Sequence, residues 1–228
     1  MNDMKERPIL FNGEMVRAIL NGHKTQTRRP IAPQPPNNTT WDQDAGLFVV
    51  DGSRLGLLRF CPFGVPGDRL WVRETWAHYQ TVDSIRRPDG RSYDEVSDGL
   101  AGYRADGHDS IEDFREHIRL TSGCSLQDVV INGDKWRPSI RMPRWASRIT
   151  LEVTDVRVER VQEIDRFDAI AEGIRWTISD ENTVHVYEAS KQTRERFREL
   201  WDSINVKRGY GWDVNPWVWV VEFERIVL

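Results

Sequence analysis

Apolar residues recur along this chain with two different periods. Between residues 12 and 21, Met15 with Ile19 and Val16 with Leu20 repeat at i, i+4. Asn12 stands where an N-cap is wanted, Glu14 falls in the first turn and Gly22 follows as a stop, so the pattern predicts a helix. A short strand over 8–11 precedes it. After Gly22, residues 24–29 alternate and are expected to run extended up to Pro30. The stretch DRLWVRET, 68–75, reads as a strand after the turn Pro66-Gly67. The longest strand pattern covers 147–160. Ile149, Leu151 and Val153 alternate there, then the phase slips to Val156 and Val158, which predicts a bulge near Asp155. Residues 165–173 predict a short helix, capped by Asp165, with Asp168 at N3, and closed by Gly173. Residues 189–204 predict an amphipathic helix with Phe197, Trp201 and Ile204 on one face. A closing strand over 217–227 sets Trp217, Trp219, Val221 and Phe223 on one side, with Glu222 and Glu224 on the other.

Three stretches break this order. Residues 31–65 are rich in Pro, Asn, Asp and Gly and read as a loop-rich insertion. Residues 77–134 are polar and acidic with weak periodicity, and only a short helix near 111–118 is expected. Residues 175–190 form a third insertion. Strands with helices between them, at irregular spacing, predict an α+β fold: one domain, 1–228, built on a mixed, barrel-like sheet with flanking helices. No GxGxxG opens a helix after a strand and no GxxxxGK[ST] occurs, which excludes dinucleotide-binding and P-loop motifs.

Composition narrows the class. Of 228 residues, 39% are hydrophobic and ten are Trp, too apolar and aromatic for a disordered chain. The longest apolar run, from Trp217 to Val221, falls far short of the about 20 residues that cross a bilayer. The opening MNDMKERPIL has no apolar core of a leader, so a cytoplasmic location and no membrane partner are expected. Cys61 and Cys124 lie far apart and outside any CxxC, which predicts two free thiols. The five histidines make no HExxH and no HxE with PCxxC, so no metal and no cofactor are expected.

Charge adds a location. The net charge is −4, which gives no global pull toward nucleic acid. Yet Arg17, Lys24, Arg28 and Arg29 form a stretch without an acid. Lys135, Arg137, Arg141, Arg144 and Arg148 form another, interleaved with Trp136 and Trp145. Arg for phosphate and Trp for a base face are the footprint of a nucleic-acid or nucleotide site; a solvated face over core tryptophans is the plainer alternative.

Three residues carry candidate chemistry. In the stretch 22–29, a turn after Gly22 lets Lys24 and Thr27 converge. A Lys among other cations and partly buried has a lowered pKa and can act as a base. A Thr hydroxyl within its reach can be a nucleophile or polarise a water. Glu172 sits in the last turn of the 165–173 helix, where the macrodipole disfavours an anion. Such rule-breaking residues are often functional. A basic strand end at the surface, and an exposed Glu172 paired with Arg175, are the structural alternatives.

The stretch Gly22-His23-Lys24-Thr25-Gln26-Thr27-Arg28-Arg29 resembles the G-x-K-x-x-E-x-R signature of the ASCH domain family, a branch of the PUA-like superfamily. Thr27 replaces the usual Glu, as in the bacterial N4-acetylcytidine amidohydrolases of that family, whose motif looks like G-x-K-x-x-T-x-R. The turn 66–70 and the closing strand are similar to family elements. The phrases CPFGVPGDRLWVRETW, KWRPSIRMPRWASRITLEVTDVRVERVQEI and GYGWDVNPWVWVVEF look like larger ASCH proteins of bacteriophages and prophages. The resemblance implies a PUA-like fold and a catalytic set of Lys24, Thr27 and Glu172. Arg29 would stabilise an oxyanion, and Arg137, Arg141, Arg144, Trp145 and Arg148 would contact substrate or nucleic acid. The implied activity is hydrolysis of an amide C–N bond, taking an acyl group from a modified cytidine-like base. The alternative is a non-catalytic module that binds RNA, or single-stranded or modified nucleic acid.

Overall fold

The strongest alternating stretch becomes the longest strand of the main sheet, bulge included. The structure is a computed structural model and describes residues 4–36, 38–42, 47–50, 53–54, 61–86, 92–122, 129–131, 135–175 and 186–227. Along the chain run β1 (Glu6–Leu10), α1 (Gly13–Leu20), β2 (Gln26–Pro30), β3 (Thr39–Asp42), β4 (Leu47–Val50), β5 (Ser53–Arg54) and β6 (Arg69–Arg73). There follow β7 (Trp76–Arg86), β8 (Ser92–Tyr103), α2 (Ile111–Ser122) and β9 (Val129–Ile131). The chain closes with β10 (Thr150–Arg160), α3 (Arg166–Ala171), α4 (Val186–Asn205) and β11 (Trp217–Ile226). The fold is mixed α+β. Its main sheet has five strands in the order β1-β6-β10-β11-β2. β1 and β2 are open edges, so no closed barrel forms among the described residues.

By its contacts the chain divides into two compact units. The first comprises Met1–Arg7, Ala18–Leu70 and Thr150–Leu228; the second comprises Pro8–Arg17 and Trp71–Ile149.

In the first unit, β11 pairs antiparallel with β10 on one side and with β2 on the other. The register against β10 shifts between Val153 and Asp155, where the apolar phase slips. Because β11 is central, both of its faces are covered. Trp217, Val218, Trp219, Val220 and Val221 are all buried, rather than every second residue. Val218 and Val220 join Val161, Ile164, Ala169, Phe197, Trp201 and Trp212 in one apolar cluster under α3 and α4. On α4, Phe197 and Trp201 face this core as expected, but Ile204 is 38% exposed and Asn205 is buried in its place. Asn205 can sit there because its side chain donates to the Trp201 carbonyl at 3.1 Å.

Residues 31–65 are not the plain loop expected from composition. β3, β4 and β5 make a small antiparallel sheet. Phe48 at its centre is fully buried, 5.5 Å edge-on from Trp217, and Trp41 meets Trp219 at 6.3 Å. Two aromatic contacts anchor a stretch whose sequence is otherwise turn-rich.

In the second unit, β7 and β8 form a long antiparallel ribbon, with β9 on the far side of β7. This corrects the expectation of weak order over 77–134. The helix expected at 111–118 is present as α2 and runs on to Ser122. Ile111 and Phe114 pack on Ala77 and Ile131. Residues 176–185, within the third expected insertion, lie outside the described residues, as does Cys124. Cys61 is a free thiol, and burial raises its pKa to about 11.

Candidate functional site in the first unit

Two chain reversals bring Lys24 to Glu172. The first ends α1. Gly22 takes φ +73°, a left-handed conformation that costs glycine little, and the His23 and Lys24 amides both donate to the Ala18 carbonyl. The second ends α3. Asp165 caps that helix by accepting from the Asp168 amide at 2.8 Å. Gly173, at φ +92°, closes it as Gly173 N–H donates to Ile170 and Ile174 N–H to Ala169. A Cβ on Gly173 would stand 3.2 Å from the Lys24 Cβ and 3.1 Å from the Ala18 Cβ, so glycine also permits the close approach. Lys24 and Glu172 then pair as an isolated antiparallel bridge, and the Thr25 amide donates to Ala171 at 2.8 Å.

The side chains meet in the same place. Lys24 Nζ lies 2.7 Å from Glu172 Oε2, and donates at 2.8 Å to each of the Glu172 and Gln26 carbonyls. An ammonium has three protons, and all three are used. The Lys24 side chain is 0% exposed and that of Glu172 4%. The solvent-exposed Glu172 paired with Arg175 is therefore not what forms. Burial lowers the Lys24 pKa; Glu172 opposes this, and Arg29 and Arg28 add to it.

Arg28, which the sequence reading passed over, ties this pair to a wider network. Its side chain is 0% exposed. Nη2 donates to Asp168 at 2.7 Å and to Glu159 at 2.9 Å, while Nη1 lies 3.7 Å from Glu172 Oε1. Arg157 takes the other Asp168 oxygen at 2.9 Å, Glu159 at 2.5 Å, and Glu222. Burial pushes the Asp168 carboxyl up, but Arg28 and Arg157 together pull it below its ordinary value. One signal for this network was present in the sequence. Gln26 and Arg28 alternate on β2, and Arg157 and Glu159 alternate on β10, so each pair shares a sheet face.

Thr27 is buried, at 2% exposure, and pairs with Val221 of β11. Strand alternation sends its side chain to the face opposite Gln26 and Arg28. Among the described residues no hydrogen bond joins its hydroxyl to Lys24 or Glu172. Of the three expected catalytic residues, two are in contact and the third is three positions along the same chain. Arg29 is half-buried, its guanidinium 6.0 Å from the Phe63 ring. Burial lowers its pKa to about 10, with Glu172 opposing and Arg208 adding.

The other expected contact residues all belong to the second unit. Arg137 exchanges backbone hydrogen bonds with Trp76 and lays its guanidinium 5.3 Å over that ring. Arg141 and Arg144 lie on two short 3-10 turns and are exposed. Trp145 is 57% exposed, edge-on to Trp76 at 5.6 Å and to His78 at 5.7 Å. Arg148 differs from its neighbours: it binds Glu74 and Asp106 and covers the Tyr103 ring at 3.9 Å.

Among the described residues no helix is long and apolar enough to cross a membrane. No family model matches the chain, and no curated protein and no solved structure matches it.

Proposed function

We propose that the chain is a nucleoside- or nucleobase-directed hydrolase of the ASCH, PUA-like kind, acting as an amidohydrolase on an acylated, cytidine-like base in the cytoplasm. The observation that carries this reading is the buried Lys24–Glu172 pair, 2.7 Å between Nζ and Oε2, formed across 148 residues of chain. The turn, Lys and strand that bear the G-x-K-x-x-T-x-R residues occur in that order, with Lys24 before β2 and Thr27 and Arg29 within it. The five-stranded sheet with its flanking helices supplies the strands that a PUA-like pseudo-barrel would use.

The chemistry follows from the pair. Burial lowers the Lys24 pKa, which favours its neutral amine, and Glu172 Oε2 at 2.7 Å is the base placed to take the proton. The neutral amine then accepts the proton of the Thr27 hydroxyl, or of a water it polarises, as the oxygen attacks the acyl carbon. Glu172 returns its proton to the departing amine nitrogen as the C–N bond breaks, and Arg29 faces the developing oxyanion. Water releases the acyl group as a carboxylate and restores the starting protonation.

The test is turnover of N4-acetylcytidine and longer N4-acylcytidines by the full chain, with cytidine release read by chromatography. Lys24→Met and Thr27→Ala are expected to abolish release with the circular dichroism spectrum unchanged. No release by the unaltered protein from any member of the panel removes the reading.

One observation favours a second reading, a module that binds single-stranded or modified nucleic acid such as RNA. Trp145 presents more than half of its surface to solvent beside the exposed Arg141 and Arg144, a stacking face with basic neighbours.

A further inference from the structure

Glu172 is an anion at the C-terminal end of a six-residue helix, where the backbone carbonyls repel it. Asp168, four residues earlier on the same side of that helix, is a second anion. Two like charges at this spacing destabilise a helix. One guanidinium answers both: Arg28 Nη2 holds Asp168 at 2.7 Å, and Nη1 stands 3.7 Å from Glu172 Oε1, the carboxylate oxygen that Lys24 does not take. Neither Arg28 Nη1 nor Glu172 Oε1 has a hydrogen-bond partner among the described residues. Arg28 is also the residue directly after Thr27 in β2.

We infer that Arg28 is a positioning residue: it sets where the Glu172 carboxylate stands relative to Lys24 and to the strand that carries Thr27. This deepens the hydrolase reading and rests on it. Its planar fork is what the task needs, since a single point charge cannot reach Asp168 and Glu172 together. Lys24 fixes one oxygen of Glu172 and Arg28 faces the other, so a cation stands on each side of the carboxylate. The whole helix end follows Arg28, because Asp168 is held by the same group.

The experiment compares Arg28→Met and Arg28→Lys with the unaltered full chain. On N4-acetylcytidine, Arg28→Met is expected to lower kcat about 100-fold with KM within about two-fold, the size of loss that an ångström of misplacement produces. Arg28→Met strips a buried partner from two carboxylates and can fail to fold. Arg28→Lys keeps the charge without the fork, and is expected to fold and still lose about ten-fold in kcat. Full recovery of kcat by the lysine overturns the inference, as does unchanged turnover in Arg28→Met. A readout without substrate separates this from the hydrolase reading. The Lys24 ammonium, followed by nitrogen-15 NMR, is expected to titrate at higher pH in Arg28→Met, where a neighbouring cation has gone, and at its original midpoint in Arg28→Lys. A midpoint unmoved by Arg28→Met overturns the inference whatever the turnover. A moved midpoint in a protein that is silent on every acylcytidine retains the hold of Arg28 on the pair and overturns the hydrolase reading.

Discussion

Arg148 meets Glu74 side by side: Nε lies 3.0 Å from Oε1 and Nη2 lies 3.1 Å from Oε2, and the Glu74 side chain is 1% exposed. Asp106 takes the same guanidinium at 2.7 Å. A residue that reads in the sequence as the last of a basic run is thus turned inward, holding a buried acid within the second unit. Arg148→Met is expected to destabilise the protein by roughly 3–5 kcal/mol, because it leaves that carboxylate buried and unpaired. Arg141→Ala, at an exposed position, is expected to stay within about 0.5 kcal/mol of the parent. Urea denaturation of the two variants checks the contrast.

The same pair sets a pH dependence. Burial raises the Glu74 pKa, Arg148 opposes this, and Asp106 adds to it. A carboxyl raised in the folded state takes up its proton more readily there than in the unfolded chain. Its stabilisation is therefore fullest at acid pH and falls as pH rises through the folded value. Without Arg148 the shift grows. The stability deficit of Arg148→Met is expected to be largest near neutrality and to shrink below about pH 5. A deficit that is flat with pH contradicts this account.

Asp168 gives the opposite sign in the first unit. Its carboxyl is held below the ordinary value by Arg28 and Arg157 in spite of burial. A depressed carboxyl contributes stability above its unfolded value, and this is lost as pH falls through the folded value. Asp168→Asn is expected to lower stability at neutral pH and to flatten its loss below about pH 4. Denaturant midpoints between acid and neutral pH measure both effects.

Much of the first unit was legible in the order of residues. The β10 bulge announces itself as a phase slip, and α3 carries a cap at Asp165 and a stop at Gly173. Lys24, Thr27 and Glu172 came forward because of a motif and a misplaced anion. Arg28 did not, because a guanidinium with three carboxylates looks in sequence like any other basic strand residue. The ribbon of β7 and β8 was hidden for a different reason. Its sequence mixes Gln, Thr, Asp, Ser, Arg and Glu among the apolar residues, so no sustained apolar period marks it.

One residue in that ribbon is under steric control. A Cβ at Gly102 would stand 1.9 Å from the Phe114 ring, and Phe114 is 3% exposed in the core beneath. Gly102→Ala is expected to cost roughly 1–3 kcal/mol as Phe114 leaves its place. Faster cleavage by protease between residues 104 and 122 reports the displacement; an unchanged digestion pattern contradicts it.

For the exposed Trp145 face, binding to oligouridine is expected to weaken with salt. Replacing Arg141 and Arg144 together by Ala is expected to reduce the log–log slope by about 1.4, near 0.7 for each single-strand phosphate contact. Fluorescence anisotropy at several salt concentrations measures it, and a slope equal to that of the parent removes these two arginines from the reading.

The strand order of the first unit has a bearing on biosynthesis. β11 lies between β10 and β2, although it is the last of the three to be translated. Until residues 217–226 have been added, β2 lacks its one neighbour in the sheet. A polypeptide stopped before residue 217 would carry Lys24, Thr27, Arg29 and Glu172 without the ladder that holds β2 in the sheet.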